Sequence, residues 1–316
     1  MATRHIDFDQ DVSAPPLQAL PGQAEIARAY DAAGADYRDY ADGDGGTALD
    51  FSGRYGFADR EVWSRIDAAL IELRAQGRHA IRVLDLGCGP GTWLLRTVAR
   101  ARDLGFTAVE GRGIDLSPAM IDLARRAAAG VEDPRIGLSF DVGDILETLE
   151  QEGRHACDIA LCLYGVLNHV APGTLPAVTG ALARSTDGAL IATVRTTGSL
   201  PSIFISGIER ARRFHQDHEH DRLAIDLADG RHIEFGLHLF HADEVRALFA
   251  PHCMVRELVG IDLFHSRFRP ERGWNPAGDD PALDAGLVRL EHFCAADPAF
   301  IDRAAHILLR AGPGEG

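Results

Sequence analysis

From Ile81 onward the sequence alternates short apolar strands with amphipathic helices, and that rhythm restricts the possible folds more than any other feature. "IRVLDLG" gives way to "TWLLRTVARARDLG" and "GRGIDLS" to "PAMIDLARRAAAG"; "IGLSFDVGDI", "CDIALCLYGV", "TLPAVTGALARS" and "GALIATVRTT" carry the series to Thr197. Strands separated by helices in this way predict an α/β, doubly wound parallel sheet covered on both faces. Ligands of such sheets bind at the carboxyl ends of the strands, so the residues just after each strand are the first candidates for a site.

The first of these ends is "IRVLDLGCGPGTW", with Gly87, Gly89 and Gly91 at alternate positions. A dinucleotide fingerprint wants its third glycine three positions after the second, where this chain has Thr92. A phosphate-binding P-loop needs a lysine, and all 32 basic residues are arginine. Lysine Schiff-base chemistry is excluded on the same ground.

The basic residues face 47 acidic ones, a net charge of −15 that disfavours nucleic acid as a partner. Five cysteines, an odd number with no two-residue spacing, argue against a disulfide framework or a cysteine-held metal. No apolar run approaches a membrane span, so the expectation is a cytoplasmic protein with no membrane partner, monomeric or homodimeric.

"VLDLGCGPG" resembles the first motif of class I S-adenosylmethionine-dependent methyltransferases, small-molecule type. The resemblance covers Ile81 to Thr197 and implies a Rossmann-like, seven-stranded sheet whose last strand runs antiparallel. On this reading residues 1–80 form an N-terminal helical cap and 81–197 the cofactor-binding half. Residues 198–250 form a lid inserted late in the fold, with a hairpin turn at Asp229-Gly230, and 251–316 supply the last strands.

S-adenosylmethionine carries an ammonium, a carboxylate, a ribose diol and an adenine but no phosphate, so its site needs acceptors as well as backbone donors. Asp85 is placed to meet the ammonium, and the three glycines let the backbone approach without side-chain clash. Asp115, ending "GRGID", suits the ribose hydroxyls; Leu116 and Met120 suit the adenine face; Asp144 and the Ile145 backbone suit the adenine edge. Tyr30 and Tyr37 resemble the aromatic segment that folds over the cofactor in small-molecule members.

The stretch "CDIALCLYGVLNHV" resembles its counterpart in methyltransferases of the glycine N-methyltransferase type. The resemblance gives Leu163 a backbone contact to the methionine moiety and sets Tyr164, Asn168 and His169 near the transferred methyl. His169 is the candidate general base where the acceptor must lose a proton.

The C-terminal half is dense in histidine. His215, His218 and His220, with nearby carboxylates, could be imagined as a metal site, but the reading is no metal and a polar lid in which His241, His265 and Arg267, with Arg269, bind the acceptor. The expectation is methyl transfer to a nitrogen or oxygen of a small-molecule metabolite. The alternatives are a tRNA or protein methyltransferase and a catalytically silent cofactor-binding module.

Overall fold

The computed structural model describes residues 25–31, 51, 56–199, 211–265 and 280–314. Tyr37, Arg267 and Arg269 lie outside the described residues. Residues 25–31 form a short helix, α1. Helix α2, Gly56–Ala75, buries Val62, Ile66, Ala69, Leu70 and Leu73, the stripe expected from their spacing.

Strand β1 (Ala80–Leu86) leads into α3 (Thr92–Asp103), β2 (Ala108–Asp115), α4 (Pro118–Ala128), β3 (Ile136–Val142) and α5 (Ile145–Glu152). β4 (Cys157–Cys162), a 3₁₀ turn at Val166–His169, α6 (Leu175–Ser185) and β5 (Thr186–Arg195) follow. Then come β6 (Ala211–Asp217), β7 (Arg222–Leu227), β8 (His232–Gly236), α7 (Ala242–Phe249) and β9 (Met254–Ile261), and finally α8 (Pro281–Cys294), α9 (Pro298–Ile301) and β10 (His306–Gly312).

The main sheet has seven strands in the order β3-β2-β1-β4-β5-β10-β9. β1 to β5 pair in parallel, and β10 runs antiparallel to both β5 and β9. This is the Rossmann-like methyltransferase fold, with its last strand reversed as the sequence motif implied. Alternation along the strands divides the core in two. Ile81, Val83, Ile159 and Leu161 pack with α2 and α3 on one face, while Leu84, Leu86, Ala160 and Cys162 pack with α5, α6 and α7 on the other. Truncating a fully buried side chain such as Ile66 or Leu70 to alanine would cost about 2–5 kcal/mol.

The late insertion is a separate three-stranded antiparallel sheet, β6-β7-β8, around Leu223, Ile225, Leu227 and Phe235. Its β7–β8 turn places Gly230 at φ +91°, a left-handed conformation that glycine adopts without steric cost. β6 was not foreseen, because "RFHQDHEH" lacks the apolar alternation of a half-buried strand. α7 packs on α6 and β9, so the chain has returned to the main domain by then.

Candidate active site

The carboxyl ends of the parallel strands open into a cavity of about 510 Å³, within the usual range for small-molecule sites. Its floor is the glycine turn. Gly87 and Gly89 line it, at φ +67° and +52°. A Cβ on Gly87 would come within 2.2 Å of Val166, so the turn can pass this close to the residues after β4 only without a side chain. Gly91 caps α3 and faces Phe140 and Ala124 rather than the cavity.

Asp115, at the end of β2, pins that turn. Its Oδ2 accepts from the Gly89 amide at 2.9 Å and its Oδ1 from the Ser117 amide at 2.8 Å. Burial raises its pKa despite those two donors, and Asp31 raises it further. Leu116 lines the cavity beside it. Asp144 and Ile145 line the next edge, where Asp144 Oδ1 caps α5 by accepting from the amides of Leu146 and Glu147 at 2.9 and 3.0 Å.

Asp85 sits deeper, 2% exposed. Leu94 offers it a backbone hydrogen bond, yet Asp85 Oδ2 has no partner among the described residues. Burial, and then the charge of Asp115, push its pKa up to about 8. A buried carboxyl with an unused oxygen is costly alone and is relieved by a cationic donor. The arrangement therefore suits a ligand that brings an ammonium to Asp85 and hydroxyls to Asp115.

The far wall is built by the segment after β4. Leu163 and Tyr164 line it, and Tyr164 holds a left-handed φ of +55°. Its amide donates to Thr193 Oγ1 at 2.5 Å, and its hydroxyl donates to Asp59 of α2, whose pKa burial raises to about 6. The Tyr164 hydroxyl is thus engaged with the helical cap.

Asn168 is 1% exposed and its amide is used by backbone. Nδ2 donates to the carbonyls of Arg195 and His238 at 3.1 and 2.5 Å, while Oδ1 accepts from the Arg195 amide at 2.9 Å. It lines the cavity beside His169 and joins the end of β5 to the residues after β8, so its amide positions that wall.

His169 meets both closing elements. Its Nδ1 lies 3.1 Å from the Gly236 carbonyl of β8, which can only accept, so Nδ1 carries the proton. Nε2 is left to accept from the Tyr30 hydroxyl of α1 at 3.1 Å. Burial lowers the His169 pKa to about 4 and raises that of Tyr30 to about 12. Asp31, next to Tyr30, accepts from Ser117 Oγ at 2.5 Å, so α1 spans the cavity from the start of α4 to His169.

Three sequence readings need correction. Met120 is 1% exposed and does not line the cavity; its amide donates to the Ser117 cap, and its side chain is core. His241 caps α7 on the surface, its side chain 60% exposed and 3.1 Å from Asp302. His265 stacks on Phe57 with ring centroids 4.3 Å apart and bonds Glu291, away from the cavity. Among the described residues of the insertion, those that line the cavity are instead Asp221, Gly236, Leu237 and His238. No signal marked them among the neighbouring histidines, because only strand pairing turns them inward. Among the described residues no cluster of three or more His, Cys, Asp or Glu side chains is placed to hold a metal ion, and no helix is long and apolar enough to cross a membrane.

Residues 83–187 match the family model described as a methyltransferase domain. No curated protein is significantly similar to the chain in sequence. Among solved structures, magnesium protoporphyrin IX methyltransferase from Synechocystis shares 14% identity over 92% of this chain and 100% of its own, with a TM-score of 0.49. A methyltransferase from Methanosarcina mazei shares 15% over 75% and 94%, at 0.47. The 1,6-didemethyltoxoflavin N1-methyltransferase of Burkholderia thailandensis shares 17% over 99% of each chain, at 0.40. The acid-bearing glycine turn and the reversed last strand agree with the matched segment: residues 83–187 carry a methyltransferase domain of the S-adenosylmethionine-dependent kind.

Proposed function

We propose that the protein transfers a methyl group to a nitrogen or oxygen of a small-molecule metabolite. The observation that carries this reading is the closure of the cavity by two elements outside the sheet, α1 through Tyr30 and the insertion through Gly236, both meeting at His169. Such a site is of a size for a small molecule held against the closing elements, which suits a displacement whose rate depends on close alignment. A net charge of −15 speaks against tRNA. The five free thiols suit a reducing cytoplasm.

S-adenosylmethionine supplies a methyl group on a sulfonium. In this reading Asp85 takes the cofactor ammonium and Asp115 its ribose diol, while Asp144 and the Ile145 backbone serve the adenine edge, with Leu116 against the ring. Leu163 and Tyr164 present backbone at the methyl end. Neutral His169 draws on the Tyr30 hydroxyl, which can take a proton from the acceptor as it hands its own to Nε2.

The test is S-adenosylhomocysteine formation over a panel of small amines, phenols, alcohols and carboxylates, with bulk tRNA and a protein mixture as the other arms. Turnover confined to small molecules supports the reading, and turnover confined to tRNA or protein overturns it.

A further inference from the structure

Among its described residues the insertion contributes one carboxylate to the cavity, Asp221, whose setting is fixed on both sides. It ends the β6–β7 turn at φ +50°, in the left-handed region that aspartate and asparagine tolerate best among residues with side chains. Its carbonyl accepts from the Leu237 amide at 2.8 Å, and its Oδ1 lies 2.8 Å from His238 Nδ1. His238 Nε2 in turn lies 2.7 Å from Glu244 Oε1 of α7. Both ring nitrogens of His238 are therefore occupied by carboxylates, and the ring has no polar atom left for a ligand. Asp221 does, because Oδ2 is outside the His238 bond.

The rest of the lining sets the sign of the field. The other charged side chains among the described lining residues are Asp115, Asp144 and Glu147, at the strand ends, and none of the described lining residues is arginine. His169 is a neutral wall, its Nδ1 spent on Gly236. The Arg195 charge reaches the Tyr30–His169 wall, but among the described lining residues an anionic acceptor would face four carboxylates, whereas a cation would find Asp221.

We propose that Asp221 is the residue that selects the methyl acceptor, and that the acceptor is a small amine presenting its cationic form to this carboxylate. This rests on the small-molecule reading above and narrows it to nitrogen. An ammonium held by Asp221 loses a proton to solvent or to the Tyr30–His169 pair. The freed nitrogen lone pair then forms the N–C bond while the methyl C–S bond breaks and its electron pair goes to sulfur.

The experiment compares wild type with Asp221→Asn and Asp221→Gly, both compatible with the left-handed backbone, after thermal melting confirms that each is folded. S-adenosylhomocysteine binding is measured by calorimetry, and turnover is measured on matched amines, alcohols, phenols and carboxylates. The expected result is turnover of amines, with KM raised about tenfold or more in both variants and S-adenosylhomocysteine affinity within about twofold of wild type. Preferential turnover of a phenol, alcohol or carboxylate, silence of every amine in a protein that binds the cofactor, or an unchanged KM in both variants overturns the proposal. Failure of the wild type to bind S-adenosylmethionine or S-adenosylhomocysteine would instead overturn the reading on which it rests.

Discussion

The hydroxyl of Tyr30 donates to Nε2 of His169 at 3.1 Å, while the same ring donates from Nδ1 to the Gly236 carbonyl. One imidazole thus connects the N-terminal helix, the segment after β4 and the inserted sheet. With its pKa lowered to about 4, it is neutral at physiological pH and keeps a lone pair aimed at the phenol. The pair holds a proton between two elements that close the site.

Replacing Tyr30 by phenylalanine keeps the ring and removes the proton. Turnover is expected to fall by about a hundredfold, the usual weight of a general base, with cofactor affinity changed far less. Steady-state kinetics beside calorimetric binding separates the two. Equal losses in both would assign Tyr30 to cofactor packing.

The same histidine makes an acid-sensitive element. Its folded-state pKa of about 4 lies below the ordinary 6.5, so the unfolded chain binds more protons between those values. The contribution of His169 to stability is complete above pH 6.5 and is lost as pH falls toward 4. His306, whose pKa burial lowers to about 3, acts in the same direction. Melting temperature followed from pH 7 to pH 4 should fall, and His169→Gln should flatten the slope.

Asp85 works in the opposite sense. Its folded-state pKa of about 8 exceeds the ordinary 3.8, so its contribution is present below pH 3.8 and lost as pH rises through 8. In the ligand-free protein Asp85→Asn should raise the melting temperature at pH 8 to 9. The same variant should weaken cofactor binding by about tenfold to a hundredfold, the weight of a hydrogen bond to a charged group. A variant neutral in both measurements would remove Asp85 from the site.

Much of this was legible in the sequence. The strand-helix rhythm and the acid-glycine spacing at Asp85 to Gly91 are local signals, and the carboxylates Asp115 and Asp144 follow from strand ends. Met120 was misread because helical spacing does not say which side of α4 is buried. His241 and His265 were misread because a run rich in histidine carries no periodicity that separates surface caps from cavity walls. Asp221 and His238 face the cavity through the pairing of β7 with β8 and through the bond from Asn168 to His238, a contact between residues 70 positions apart.

Asn168→Ala would leave the Arg195 amide and the Arg195 and His238 carbonyls without their side-chain partner. The expected cost is about 1–3 kcal/mol of stability. Hydrogen exchange should quicken at residues 236 to 240 more than in β1 or β4. Uniform loss across the sheet would mean that Asn168 supports the whole domain.

Asp115 tests the account at its centre, since its carboxylate both pins the glycine turn and faces the cavity. The decisive measurement is calorimetric titration of the protein and of Asp115→Ala with S-adenosylmethionine and S-adenosylhomocysteine. The account predicts wild-type binding of both at about micromolar level, near −8 kcal/mol, and a loss of at least about tenfold in the variant. No binding of either ligand to the wild type, or equal binding by the variant, would contradict it.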